Sequence, residues 1–395
     1  MIMTKCSFSF LTALLLAALF TTPSCRTEGV KDHRVCAFIW PSCHDDSLAH
    51  ELLWPQGMGE WEIINKATPR FEGHRQPKQP LWGCEMDDDP EVVEKWIQTA
   101  LRYGVNTFVY DWYWYLDQPF LEGALDNGFL KAKSCGKMDF YVMWANHDVP
   151  RNYWNCYRYG DDKSRLFSGD VPPEQFETIT DRIIEKYFWR KNYAKVDGRP
   201  IFMIYSLDDF MESFGGDLQA ARGAIDVFRD KCRKAGYPGV YLQCSIWTNG
   251  YYNEKYRMKC KEIVETLGID SFASYNMGGT DVDYQKFCTT AVELWDCWDS
   301  LLTTADVYPT VSIGWDDTPR FPEKGEADVC HINRTPELFQ ATLEKAKEYA
   351  DRHTEQPHFI YINAWNEWVE DSYLLPDKIH GFAYLEAVRK ALKKQ

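Results

Sequence analysis

Short apolar runs alternate with stretches of helical periodicity along most of the chain. The runs fall at 35–40, 107–114, 140–146, 200–206, 240–247, 271–276, 308–315 and from 359 onward. Each is rich in β-branched and aromatic residues, with few polar positions to mark a solvent face, as strands buried on both sides require. Between them, residues 91–103 set Val92, Val93, Trp96, Ile97 and Ala100 at helical spacing and stop at Gly104. Residues 174–188, 218–235, 257–267, 284–302, 336–353 and 382–393 repeat this pattern, and 121–133 does so more weakly. Eight strand runs, each followed by a helix, predict a single (β/α)8 TIM barrel. An open doubly wound sheet would call for a glycine-rich phosphate loop after the first strand, and the sequence has none there. The first βα connection, 41–90, is far longer than usual, and a lid or wall over the barrel mouth is expected of it.

The first residues carry a different pattern. Lys5 precedes an apolar run from Phe8 to Phe20, too short to span a bilayer but of signal-peptide length. Small residues then lead to Cys25, which reads as the acylated cysteine of a bacterial lipoprotein, although Thr22 stands where a lipobox carries leucine. The expected organisation is a signal peptide at 1–24, a lipoprotein tether at 25–34 and a barrel domain at 35–395. Export to the bacterial outer membrane through this anchor is the expected location, with soluble secretion as the alternative.

The net charge of -15 argues against binding nucleic acid or an anionic membrane surface through bulk electrostatics. Of 13 cysteines, Cys6 and Cys25 fall in the leader; the remaining eleven form no C-x-x-C pair, so their disulfide pairing stays open. No zinc or EF-hand spacing occurs. Aromatic residues make up 15% of the chain, and their placement gives them meaning.

Active sites of such barrels lie at the C-terminal ends of the strands. Those ends carry Asp111, Trp112 and Trp114; Asn146 and His147; Asp208 and Asp209; Trp247; Tyr275; Trp315 and Asp316; and Trp365 with Glu367. The long first loop adds Trp61 and His74. Taken singly, Asp111 or Asp316 could cap a helix and His147 could be a rim histidine. Together, flat rings beside Asp, Asn and His suit a ligand with both stacking faces and hydroxyls, which is carbohydrate. Glu367 and Glu370 are the candidate catalytic pair. Three residues apart, they share a face only if the chain leaves the strand and turns after Trp365. Paired carboxylates among aromatic rings split their proton affinities into an acid and a base. The alternative reading makes Glu367 a salt-bridge partner and Glu370 a solvated loop residue.

Gly59-Glu-Trp61, Pro69-Arg-Phe-Glu-Gly-His-Arg-Gln-Pro77, Asp111-Trp-Tyr-Trp114, Met143-Trp-Ala-Asn-His-Asp148 and Asn363-Ala-Trp-Asn-Glu-Trp-Val-Glu370 occur together. This set resembles the bacterial glycoside hydrolase family 99-like proteins, also labelled WbsX-type in polysaccharide loci. Family 99 comprises retaining endo-α-mannosidases and endo-α-mannanases on a (β/α)8 barrel. The resemblance implies that Glu370 is the general acid/base and that Glu367 draws the proton from a sugar 2-hydroxyl, closing a 1,2-anhydro intermediate. That route calls for no metal or other cofactor, and its partner is an oligo- or polysaccharide. Where the family commonly has Gly after the second Glu, this chain has Asp371, which would raise the proton affinity of Glu370 if it pointed inward. A glycosyltransferase of polysaccharide assembly and a non-catalytic sugar-binding lipoprotein are the alternatives; the leader disfavours the first, and the intact glutamates the second.

Overall fold

The computed structural model describes residues 33–245, 253–277, 281–323 and 330–392. Its parallel strands are β1 (Arg34–Ile39), β2 (Thr107–Tyr115), β3 (Asp139–Trp144), β4 (Arg199–Ile204), β5 (Tyr241–Cys244), β6 (Ser271–Ala273), β7 in two halves (Asp306–Tyr308 and Thr310–Ser312) and β8 (Phe359–Asn363). They pair in chain order, and β1 also pairs with β8, Val35 opposite Ile360. The halves of β7 divide the closure: Asp306–Tyr308 joins β6 and Thr310–Ser312 joins β8. Pro309 separates them because it has no N–H to give the ladder, while its carbonyl accepts from Tyr361 N (2.9 Å). The result is the expected (β/α)8 barrel, nearly closed.

The helices follow from the same periodicity. In α1 (Pro90–Tyr103), Asp89 caps the first turn and the buried face is Val93, Trp96, Ile97, Ala100 and Tyr103. The weakly helical stretch after β2 departs from expectation, with only a π-turn at Ala124–Gly128 and a 3-10 turn at Phe129–Lys131. Here the chain passes so close to the first loop that a Cβ on Gly128 would meet the Asp87 carbonyl oxygen at 2.1 Å. Backbone packing against that loop takes precedence over a regular helix.

Two apolar clusters result. The main one fills the barrel and the layer under the helices. The second sits above the strand ends and joins Trp40, Trp54, Ile63, Tyr113, Tyr115, Phe120, Trp154 and Phe167. It fixes the long first loop against the connection after β3, with Trp54 Nε1 donating to the Trp154 carbonyl (3.2 Å). The eleven cysteines outside the leader are all free thiols. Among the described residues, no helix is long and apolar enough to cross a membrane.

Candidate active site

Strand β8 delivers the two glutamates by turning back on itself. After Asn363, Trp365 N donates to the Phe38 carbonyl (2.8 Å), which ties the exit of β8 to the end of β1. Asn366–Glu367 then pairs antiparallel with Ser372–Tyr373 around a 3-10 turn at Trp368–Glu370. The turn closes at Asp371, whose φ of 57° lies in the left-handed region that Gly, Asn and Asp tolerate best. This hairpin brings Glu367 and Glu370 to one side, each 4% exposed.

Both line a cavity of about 400 Å³ at the C-terminal end of the barrel. Trp40, Tyr113, Tyr153, Trp154, Tyr205, Tyr275 and Trp315 supply its rings, and Asp111, His147, Asp148, Asp209 and Arg320 its polar groups. Tyr275 sits over the barrel floor, its ring 4.7 Å from Phe38. Its hydroxyl reaches Glu367 Oε2 at 3.0 Å and Asp111 Oδ2 at 2.9 Å.

Glu370 Oε1 accepts a short hydrogen bond from Arg320 Nη1. Arg320 is 2% exposed and is held on its other edge by Glu60, with Nε donating to Oε1 at 3.0 Å. Glu60 in turn accepts from Trp40 Nε1 (2.5 Å) and Ser42 Oγ (3.2 Å). Gly59 lets Glu60 into this position: its φ is +59°, and a Cβ there would meet the Ser42 carbonyl oxygen at 1.9 Å.

Burial raises the proton affinity of both catalytic candidates. Glu367 is pushed from 4.5 up to about 7, chiefly by burial, against the pull of Arg320. Glu370 is pushed well above the usual carboxylate range by burial and by Glu367 beside it. Both glutamates thus have raised proton affinity, Glu370 more than Glu367, the kind of split that distinguishes an acid from a base. His147, packed among Tyr113, Trp154 and Tyr205 rings, is lowered to about 4 by burial and is a neutral wall residue.

Of the residues singled out by sequence, the structure gathers Asp111, His147, Tyr275, Trp315, Glu367 and Glu370 around the cavity. It sets others apart. Trp112 and Trp114 lie on the opposite face of β2 from Asp111 and Tyr113, donating to Glu122 (2.9 Å) and Gln175 (3.0 Å) on the outside of the barrel. Strand alternation alone accounts for this. Trp365 packs into the core on Phe108, with ring centroids 5.2 Å apart. Asn146 exchanges two hydrogen bonds with Ser206 backbone atoms and joins the ends of β3 and β4. Trp61 donates to the Glu85 carbonyl (2.9 Å). Trp247 and Cys25 lie outside the described residues.

His74 and Asp316 meet behind the hairpin instead. Asp316 Oδ2 accepts from His74 Nε2 (2.9 Å), Gln76 Nε2 (2.7 Å) and Lys78 Nζ (3.2 Å). These donors hold its carboxyl far below the usual range. Asp371 points to the same side, paired with Lys78 (3.1 Å) and Arg334 (2.9 Å), and is turned away from the cavity. The first loop therefore buttresses the site, while the connection after β3 walls it through His147, Pro150, Tyr153 and Trp154.

Two clusters have the residue types of metal ligands: His74, Asp316 and Cys330, and His33, Asp351 and His358. In the first, His74 Nδ1 already accepts from Arg70 N (3.0 Å), so the ring proton sits on Nε2, facing Asp316. The second lies at the opposite end of the barrel, where β1 and β8 begin.

The family model described as glycosyltransferase WbsX matches residues 35–388, from the first strand into the last helix. The chain belongs to the WbsX family. It is 24% identical over 384 residues to the uncharacterized protein WxcX of Xanthomonas campestris pv. campestris, a match covering 91% of this chain and 49% of that protein. The chain thus spans about half the length of the curated relatives it matches. The WbsX fold is shared with solved structures at low sequence identity. The family 99 endo-α-mannosidase from Bacteroides thetaiotaomicron superposes with a TM-score of 0.55 at 15% identity, covering 92% of this chain and 97% of that one. A glycoside hydrolase-like protein superposes at 0.60 with 13% identity, covering 93% and 96%.

Proposed function

We propose that this WbsX-family protein is a retaining, endo-acting glycoside hydrolase that cleaves an α-linked polysaccharide or glycan, with α-mannosides the first substrates to try. The observation that carries the reading is the convergence of Glu367 and Glu370, both with raised proton affinity, in a ring-walled cavity at the barrel mouth. In the first step Glu367 takes the proton of a sugar 2-hydroxyl while that oxygen attacks the anomeric carbon. Glu370 gives its proton to the departing glycosidic oxygen, so a 1,2-anhydro sugar forms as the glycosidic bond breaks. In the second step Glu370 takes a proton from water, which opens the anhydro ring, and Glu367 returns its proton to O2. Two inversions at the anomeric carbon give net retention. This differs from the retaining route in which a carboxylate attacks carbon directly.

The family description names a glycosyltransferase, and charge separates the two readings. A nucleotide or lipid diphosphate donor needs cations or a backbone nest for its phosphates. Among the described lining residues Arg320 is the one cation, and Glu60 and Glu370 already engage it. Five carboxylates share that lining. Incubation with end-labelled α-mannans and related glycans, followed by profiling of reducing ends, tests the reading. New reducing ends support hydrolysis; chain growth that depends on an activated donor, or a binding shift without turnover, contradicts it.

Export as a lipoprotein belongs to the same proposal. It rests on the apolar run before Cys25. Cys25→Ala should move the protein out of the membrane fraction, and unchanged fractionation contradicts the anchor.

A further inference from the structure

Tyr275 makes hydrogen bonds to two carboxyl groups with a single proton. Its hydroxyl lies 2.9 Å from Asp111 Oδ2 and 3.0 Å from Glu367 Oε2. It can donate to one of them; the other contact is attractive only if that carboxyl brings a proton of its own. One of Asp111 and Glu367 is therefore neutral.

The surroundings decide which. Glu367 has Arg320 nearby to offset a negative charge and Asn363 Nδ2 at 3.4 Å. Asp111 has no such help: Oδ1 is buried without a hydrogen-bond partner, and among the described residues no cation is paired with it. An ionised Asp111 would be a buried charge with one hydrogen bond and no counter-ion, which is costly. The proton belongs on Asp111, and burial pushes that carboxyl well above its usual range.

Resting on the glycosidase reading above, we propose that Asp111 is a proton-bearing positioning residue: its neutral carboxyl donates to the Tyr275 oxygen and so commits the phenolic proton to Glu367. The chain Asp111–Tyr275–Glu367 then runs in one direction. It keeps Glu367 ionised and aimed when the sugar hydroxyl arrives, and it stabilises the base without placing a second negative charge beside it. The other groups around Glu367 are Glu370 on its own hairpin, Arg320 from the connection after β7, the phenol of Tyr153 from the connection after β3, and the phenols of Tyr113 and Tyr205 from the ends of β2 and β4. All three phenols are raised by burial and stay neutral, so none can replace the proton of Asp111.

Two measurements test this, and one does not need turnover. Infrared difference spectra of the full chain at neutral pH, wild type against Asp111→Asn, should lose a protonated-carboxyl band; loss of an ionised-carboxylate band instead overturns the proposal. The second is the pH profile of kcat/KM. Asp111→Asn keeps a neutral donor facing Tyr275, so whatever its rate, its acid limb should stay at the wild-type position. Tyr275→Phe removes the donor to Glu367 and should move that limb up by about one pH unit. A limb that stays put in Tyr275→Phe, or moves equally in Asp111→Asn, overturns the relay. If wild type cuts no glycan, the glycosidase reading fails while the infrared result still decides where the proton sits.

Discussion

Arg320 donates a buried hydrogen bond to Glu370 between the connection after β7 and the hairpin after β8, and Glu60 pairs with the same guanidinium from the first loop. One cation thus serves two carboxyl groups, of which Glu370 has its proton affinity raised by burial and by Glu367. The positive charge offsets Glu60, and the hydrogen bond to Oε1 fixes how the acid faces the cavity. Three loops distant in sequence are locked together by this contact.

Its removal should therefore cost stability as well as activity. Arg320→Ala leaves Glu60 buried without a counter-ion, a change worth about 3–5 kcal/mol. Denaturant unfolding of the variant should show that loss, and a loss below about 1 kcal/mol would mean that water reaches the site and screens Glu60.

The raised proton affinity of Glu367 makes a prediction about stability and pH. Between its unfolded value of 4.5 and its folded value of about 7, the folded chain holds a proton that the unfolded chain has released. Stability supplied by this group is present below the lower value and falls as pH rises through the window. Glu367→Gln should therefore show a smaller decline in unfolding free energy between pH 5 and 7 than wild type. Parallel curves would contradict the shift.

Trp315 and Trp112 should behave differently although both stand at strand ends. Trp315 lines the cavity, so Trp315→Ala should raise KM for an oligosaccharide more than it lowers kcat. Trp112 is core, donating to Glu122, and Trp112→Ala should cost about 3–5 kcal/mol in unfolding with KM little changed in the protein that remains folded. A large rise in KM with little loss of stability in Trp112→Ala would reverse the faces assigned to β2.

The barrel was readable because burial on both faces writes each strand as an apolar run and each helix as a 3.6-residue repeat. What escaped was fixed by contacts between distant residues. The break of β7 at Pro309 follows from sharing its halves between two neighbours. The run 111–114 marks the right strand end, yet only alternation separates the inward Asp111 and Tyr113 from the outward Trp112 and Trp114. Arg320 carries no local signal: its partner Glu60 is 260 positions away, and a lone arginine after a proline resembles any loop. Asp371 was visible as a departure from the family's glycine; only the left-handed turn explains how Asp fits there, facing Lys78 and Arg334. The first loop was expected to wall the cleft, but its Trp54 is spent on the second apolar cluster that holds the true wall in place, and its Trp61 on the main core.

The central claim is that Glu370 and Glu367 act on one glycosidic bond as acid and base. The most direct measurement is NMR of the first-formed product from an α-manno-oligosaccharide, with wild type, Glu370→Gln and Glu367→Gln side by side. The account predicts that wild type releases the α-anomer first and that each variant loses turnover by about two orders of magnitude or more while still binding the substrate. A β-anomer from wild type, or near-normal turnover in either variant, would contradict it.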